Sequence, residues 1–211
     1  SDKHFKRGDL LLGFDILLGD ALFVDRFSYN FFHPKSGDPA VFRTGTIDEF
    51  NRKVGTGVVS QIGEDKYYIK RLVGEPGDVL EMKVPDSIFT NGTDVRKGVP
   101  GIVYRNGQPL SGKTAFDRNR KRVQDLAKDP KAIPSDAYPG YRAEGIFTNQ
   151  TLIKVPKSNE NSTGQKAFFA MGDNSTDSLD GRAWGFVPEH EIIGRAFLIY
   201  YPFTTRWGFA D

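Results

Sequence analysis

Lys70 and Arg71 stand side by side in an extended run, YYIKRLVGEPGD, at residues 67–78. Successive side chains of a strand alternate faces, so Tyr68, Lys70 and Leu72 point one way and Tyr67, Ile69, Arg71 and Val73 the other. One of the two cations is therefore expected to face the core. An ammonium placed in an apolar site usually gives up its proton, its pKa falling by as much as about 3–5 units, and a neutral amine is a base. The competing reading is a half-exposed edge strand whose lysine reaches to water. On this stretch alone the competing reading is preferred.

The rest of the composition narrows the chemistry. There is no cysteine, which removes disulfides, thiolate nucleophiles and thiolate metal sites. His4, His33 and His190 are scattered, with no carboxylate cluster at ligand spacing, so no metal is expected. Oxygen nucleophiles, lysine and carboxylates remain, with no cofactor. A formal charge of +2 arises from 29 basic and 27 acidic residues spread along the chain, and the densest basic run, DRNRKRVQDLAKDPK at 117–131, is diluted by acids. It reads as a solvated helix face, and no nucleic-acid partner is expected. The most apolar segment, DLLLGFDILLGDALFV at 9–24, contains three Asp and two Gly. It falls short of the roughly 20 uninterrupted apolar residues of a bilayer span, so the chain as it stands is expected to be soluble. It begins without Met and without a signal-peptide pattern, which raises the expectation of a removed upstream portion.

The elements that must position such residues read mainly as short strands, in keeping with 23 Gly and 12 Pro. From Ile16 the pattern ILLGDALFVDRFSYNFF is strand-like; a turn at HPKSGDPA and the strand AVFRT follow. The segment GTIDEFNRKVGTGVVSQIGEDK is less regular. GEPGD at 74–78 is a Pro-Gly turn into VLEMKV. Residues 84–165 are polar and turn-rich, with a hairpin signal at Asn106-Gly107 and one convincing helix, TAFDRNRKRVQDLAK at 114–128. Strands return at QKAFFAMGDN and EIIGRAFLIYYPF. An all-β or β-rich α+β fold is expected, with the middle block as an insertion or a second lobe.

Four pieces, LLGDALFVDRFSY, SGDPAVFR, YYIKRLVGEPGD and FFAMGDNSTDSLDGRAWGFVPEHEIIGRA, occur in an order and spacing that resemble the boxes of bacterial type I signal peptidases. The likeness covers 15–83 and 166–202, and the last box is the most specific. The resemblance implies a Ser–Lys serine protease, anchored in the inner membrane with its catalytic domain on the periplasmic or outer face, which removes signal peptides from exported preproteins. The fold it implies is mainly β, with coiled antiparallel sheets in a barrel-like catalytic core from 10–83 and 166–202, a second β-rich lobe inserted at 84–165 and a tail at 203–211. Lys70 matches the general base. Ser178 matches the serine that orients the lysine; without the family it would read as a loop-capping hydroxyl. Asp180 and Arg182 match a structural ion pair near the site, against an ordinary surface pair. Gly172, Asp173 and Asn174 match a supporting tight turn, and Gly77 and Asp78 read alike. Tyr67 and Ile69 lie where an extended substrate would add beside the base strand. Core packing is an equal reading of Ile69, and Tyr67 departs from the smaller or acidic residues expected there. Of the aromatic residues Phe27, Tyr29, Phe31, Phe32, Tyr200, Tyr201, Phe203, Trp207 and Phe209, most are expected in the core, with Trp207 the best candidate for a ring dipping into a membrane surface.

The resemblance breaks at the nucleophile. A Ser-x-Ser-Met-x-Pro-Thr-Leu type box belongs just ahead of LLGDALFV, where this chain has HFKRGDLLLGFDI, with no Ser, Met, Pro or Thr. Three explanations stand open: a box upstream of Ser1, loss of the box in a pseudoenzyme, or Ser1 as its remnant, the last being the poorest. Ser28 and Ser36 are poor substitutes, so no nucleophile is assigned, and the oxyanion donors would be missing with it. This stretch of chain is expected to have little activity by itself. The rival reading is a non-catalytic homologue that binds extended peptides of exported proteins. A relative that cleaves its own chain, like self-cleaving repressors, is disfavoured by the ending Trp184-Gly185-Phe186-Val187-Pro188.

Overall fold

The computed structural model describes residues 21–58, 60–92, 98–134, 137–201 and 208–209. The expected nucleophile position, Ser1, Phe203 and Trp207 lie outside them. Among the described residues, three sheets account for the strands. The largest runs β1 (Ala21–Asp25), β12 (Ile192–Tyr201), β2 (Pro39–Arg43), β3 (Tyr67–Gly74), β10 (Ala167–Met171), β11 (Phe186–Pro188), with β13 (Gly208–Phe209) on β12. All its neighbours are antiparallel, and shifts of register in the β1–β12, β2–β12 and β3–β10 pairs coil it. A second sheet runs β7 (Gln108–Pro109), β6 (Ile102–Arg105), β4 (Val79–Lys83), β9 (Leu152–Lys154). β5 (Val99–Pro100) and β8 (Arg142–Ala143) form a short third pair. The mainly-β architecture of coiled antiparallel sheets is thus the one the sequence suggests. Among the described residues no helix is long and apolar enough to cross a membrane.

The central strands are covered on both faces. Leu72, Phe168 and Ala170 join a cluster with Ala40, Phe42, Ile47, Trp184 and Val187. Val73, Phe169 and Met171 join another, with Leu80, Met82, Phe116, Phe147 and Phe186. This explains why AFFAM reads as a continuous apolar run in an antiparallel sheet, where one solvated face would make it alternate. Lys70 therefore stands on the Leu72 face and Arg71 on the Val73 face.

The helix α3 (Thr114–Lys128) has the bounds the sequence suggests; it buries Ala115, Phe116, Val123 and Leu126 while Lys121 pairs with Asp125 on the solvated side. Asn106 and Gly107 both have positive φ, 52° and 79°, the type I′ geometry of a tight hairpin between β6 and β7. The short helices α2 (Ser87–Thr90) and α4 (Gly181–Trp184) were not foreseen. Three expectations are corrected. The segment read as irregular holds the helix α1 (Ile47–Val54), with Asp48 and Glu49 in its first turn, Arg52 and Lys53 in its last, and Gly55 left-handed at its end. The strand-like run stops at Asp25, whose carboxylate accepts from the N–H groups of Phe27 and Ser28 and from the Ser28 hydroxyl, bending the chain into a 3-10 turn, Ser28–Asn30. Ser28 is thus in a turn and not a strand. The turn points its rings outward: Phe27, Phe31 and Phe32 are 70%, 67% and 69% exposed, and Phe209 is exposed too, against the expectation of core.

Candidate active site

Strand β3 brings Lys70 to the site. Its partner β2 sets Lys70 opposite Ala40, and β10 pairs alongside up to Met171, opposite Arg71. The chain then leaves β10 through Gly172 and folds back so that Ser178 arrives beside the lysine, whose Nζ donates to Ser178 Oγ at 2.8 Å. Glycine is required here by space: a Cβ on residue 172 would lie 2.1 Å from Ser178 Oγ. The returning loop is tied at its base by Asp180, which accepts the Gly172 N–H at 2.9 Å. Arg182 holds Asp180 through Nε and Nη2, both at 2.8 Å, and Nη2 also donates to the carbonyls of Ser175 and Ser178 at 3.0 and 3.3 Å. Asp180 and Arg182 are both buried. They are an internal pair that holds the Ser178 carbonyl.

Burial pulls the Lys70 amine below its ordinary pKa of 10.5; the Asp180 carboxylate opposes this, the Arg182 guanidinium reinforces it, and Asp173 opposes it. The Tyr68 ring stands 5.6 Å from Nζ on the same face of the strand. An amine without its extra proton keeps a lone pair. With Ser178 accepting one of its N–H groups, that lone pair is free to take a proton from another hydroxyl.

The more deeply buried cation is Arg71, only 7% exposed; its Nε and Nη2 grip both Asp173 carboxylate oxygens at 2.8 and 2.7 Å, and Nη1 donates to the Gly37 carbonyl at 2.7 Å. Asp173 thus anchors the end of β10 to β3. Asn174 is exposed and serves the loop itself: its Oδ1 accepts the Thr176 N–H at 3.3 Å, and it does not reach Lys70. Asp78 accepts from Arg105 and, at 2.7 Å, from Asn106 Nδ2, joining the β3–β4 turn to the β6–β7 hairpin.

Tyr67 and Ile69 lie on the outer half of β3. The Thr44 N–H bonds the Lys66 carbonyl and the Leu72 N–H the Asp38 carbonyl, so even-numbered residues of β3 bond towards β2 and the odd-numbered ones turn their backbone to the other edge. There β10 pairs no further than Arg71, leaving the N–H and C=O groups of Tyr67 and Ile69 facing an edge with no partner strand among the described residues. Ile69 is 43% and Tyr67 70% exposed, so Ile69 is not a core residue, and its side chain lies on the face of the strand opposite Lys70.

Two residues that no sequence signal singled out complete the site. Ser175, fully buried, and Glu144, from the segment between the two halves of the large sheet, both contact Arg182. Their proximity depends on long-range packing that no local spacing encodes.

The family model for "Signal peptidase, peptidase S26" matches residues 15–201. Among similar proteins, a probable signal peptidase I-1 of Synechocystis is 29% identical over 90% of this chain and 66% of its own length. A signal peptidase I of Aquifex aeolicus is 26% identical over 88% of this chain and 70% of its own. A solved signal peptidase I from Enterococcus faecalis is 16% identical, with a TM-score of 0.39, over 77% of this chain and 97% of that one. The chain spans about two thirds of the length of the relatives it matches.

Proposed function

The chain belongs to the signal peptidase family, peptidase S26, and from that premise we propose that it is the catalytic portion of a signal peptidase I, a serine endopeptidase that removes signal peptides from exported proteins through a Ser–Lys dyad. The observation that carries the reading is the half-buried Lys70 amine, its pKa depressed, held at 2.8 Å by Ser178. Lys70 Nζ accepts the proton of a serine hydroxyl as that oxygen attacks the scissile carbonyl, and the resulting ammonium returns it to the departing amine. Ser178 acts as the orienting acceptor, Asp180 and Arg182 hold Ser178, and Asp173 and Asn174 shape the turn. The nucleophile is left unassigned; among the described residues Ser178 is the hydrogen-bond partner of Lys70 Nζ. The substrate adds as a strand to the open edge at Tyr67 and Ile69, main-chain bonds giving affinity and shallow side-chain contacts selectivity. Residues 84–165 form an inserted lobe in this reading.

The same reading places the protein at the outer face of an inner membrane. Phe23, Phe27, Phe31, Phe32, Phe197 and Phe209, all exposed, gather on β1, the turn after it, β12 and β13, with the exposed cations Arg26 and Lys35 close by in sequence. Such rings favour a bilayer interface. Cosedimentation with vesicles containing anionic lipid is expected to fall when Phe31 and Phe32 are changed together to Ser; unchanged binding would count against this surface.

Cleavage is the central test. The full-length gene product is incubated with a synthetic peptide carrying small residues before the cleavage point, and Lys70→Ala is expected to lower the rate by about 10²–10⁴-fold. Cleavage that survives the substitution removes Lys70 as base. Peptide binding without cleavage in either protein would favour the non-catalytic homologue.

A further inference from the structure

Arg182 is held by carboxylates from two parts of the chain. Asp180, its neighbour in the loop, takes Nε and Nη2; Glu144 takes Nη1 at 2.7 Å. Glu144 sits on a strap, residues 142–146, that follows the loop closely. The Arg142 N–H donates to Ser175 Oγ at 2.9 Å, the same oxygen that accepts from Arg182 Nη1, and the Ile146 N–H donates to the Arg182 carbonyl at 2.8 Å. At Gly145, φ is +60°, and a Cβ there would fall 1.9 Å from the Arg182 carbonyl oxygen, so the strap fits only with glycine at that point. Arg142 Nη2 bonds the other Glu144 oxygen at 3.0 Å. The strap, the guanidinium and the Ser178 carbonyl form one connected piece.

We propose that Glu144 is a positioning residue for Lys70, acting through Arg182 to hold the Ser178 loop in place and to balance the positive charge that the lysine faces. The charged groups facing Lys70 are Asp180, Arg182 and Asp173, the last paired with Arg71, and the Tyr68 phenol stands beside it. Glu144 touches none of the lysine's atoms. Its carboxylate offsets the Arg182 guanidinium, which is 1% exposed and so poorly screened by water. Without it, the same guanidinium disfavours the Lys70 ammonium more strongly. The segment between the two halves of the sheet would then take part in setting the proton affinity of the base.

This inference rests on reading Lys70 as the base, but its test follows the lysine's proton and no turnover, so its failure is distinguishable from failure of the cleavage test. The Lys70 titration is followed by NMR of isotopically labelled lysine side chains, assigned with Lys70→Met. Glu144→Gln is expected to lower the Lys70 midpoint by roughly half a pH unit, the size of a partly screened charge acting through one intermediary. Glu144→Asp, which keeps the charge, is expected to stay nearer the parent. Arg142→Gln, which frees Glu144 from its second cation, is expected to move the midpoint the opposite way, and it tests the proposal even if Glu144→Gln does not fold. A midpoint unmoved in the folded Glu144→Gln or Arg142→Gln protein, whatever happens to its melting temperature, reduces Glu144 to a brace and overturns the proposal.

Discussion

The two halves of β3 make opposite use of one backbone. Residues 71–74 are buried, with β10 along one edge and Pro39 and Asp38 along the other. Residues 67–69 have β2 on one side only and expose two large side chains. Lys70 is the residue at the join. A lysine proposed as a base needs enough dryness to shed its proton and enough access for a peptide to reach it, and a strand that passes from full cover to an open edge offers both at one position. The lesson is that the amine's chemistry is set by where along the strand it stands, more than by its immediate sequence neighbours.

That contrast can be broken by substitution. Leu72→Ala, on the covered half, is expected to destabilise by about 2–5 kcal/mol in urea unfolding, since Leu72 is fully buried among aromatic and aliphatic side chains. Gly172→Ala forces a methyl group against Ser178 and is expected to cost about 1–3 kcal/mol, while moving the Lys70 titration back towards 10.5 as the loop lifts and water enters. Lys70→Met sharpens the comparison through pH. A lysine whose folded pKa lies below its unfolded value binds its proton more weakly when folded, so it destabilises below the folded pKa, and the penalty is relieved as pH rises towards 10.5. The stability of Lys70→Met relative to the parent is therefore expected to be greatest near neutral pH and to decline as pH approaches 10.5; a difference independent of pH would mean the amine is not desolvated. Ile69→Ala, on the open half, is expected to change stability by no more than about 0.5 kcal/mol while weakening peptide binding.

Much of this was legible in the residues. The helix at 114–128, the Asn106-Gly107 hairpin and the strands around Lys70 carry signals that act locally, and packing did not overrule them. Helix α1 was missed because only its ends announce it: acids first, bases last, then glycine, over eight residues. The turn after β1 was misread because a run of aromatics resembles a strand, whereas one aspartate side chain satisfying successive N–H groups was enough to stop it. In the site, the alternation of β3 separated Lys70 from Arg71 correctly, but only the resemblance brought Ser178 to the lysine. Glu144 and Ser175 were invisible, since their contacts with Arg182 exist only once segments distant in sequence have packed together.

Lys70 and Ser178 are separated by 108 residues, and β3 lies between β2, which precedes that interval, and β10, which stands near its far end. Pairing so distant in sequence carries the entropy cost of closing a large loop. A nascent chain that has not yet made β10 thus holds its lysine as an ordinary ammonium, unable to accept a proton. The weakened hold of that amine on its proton is thus a property of the assembled sheet and not of the strand that carries it.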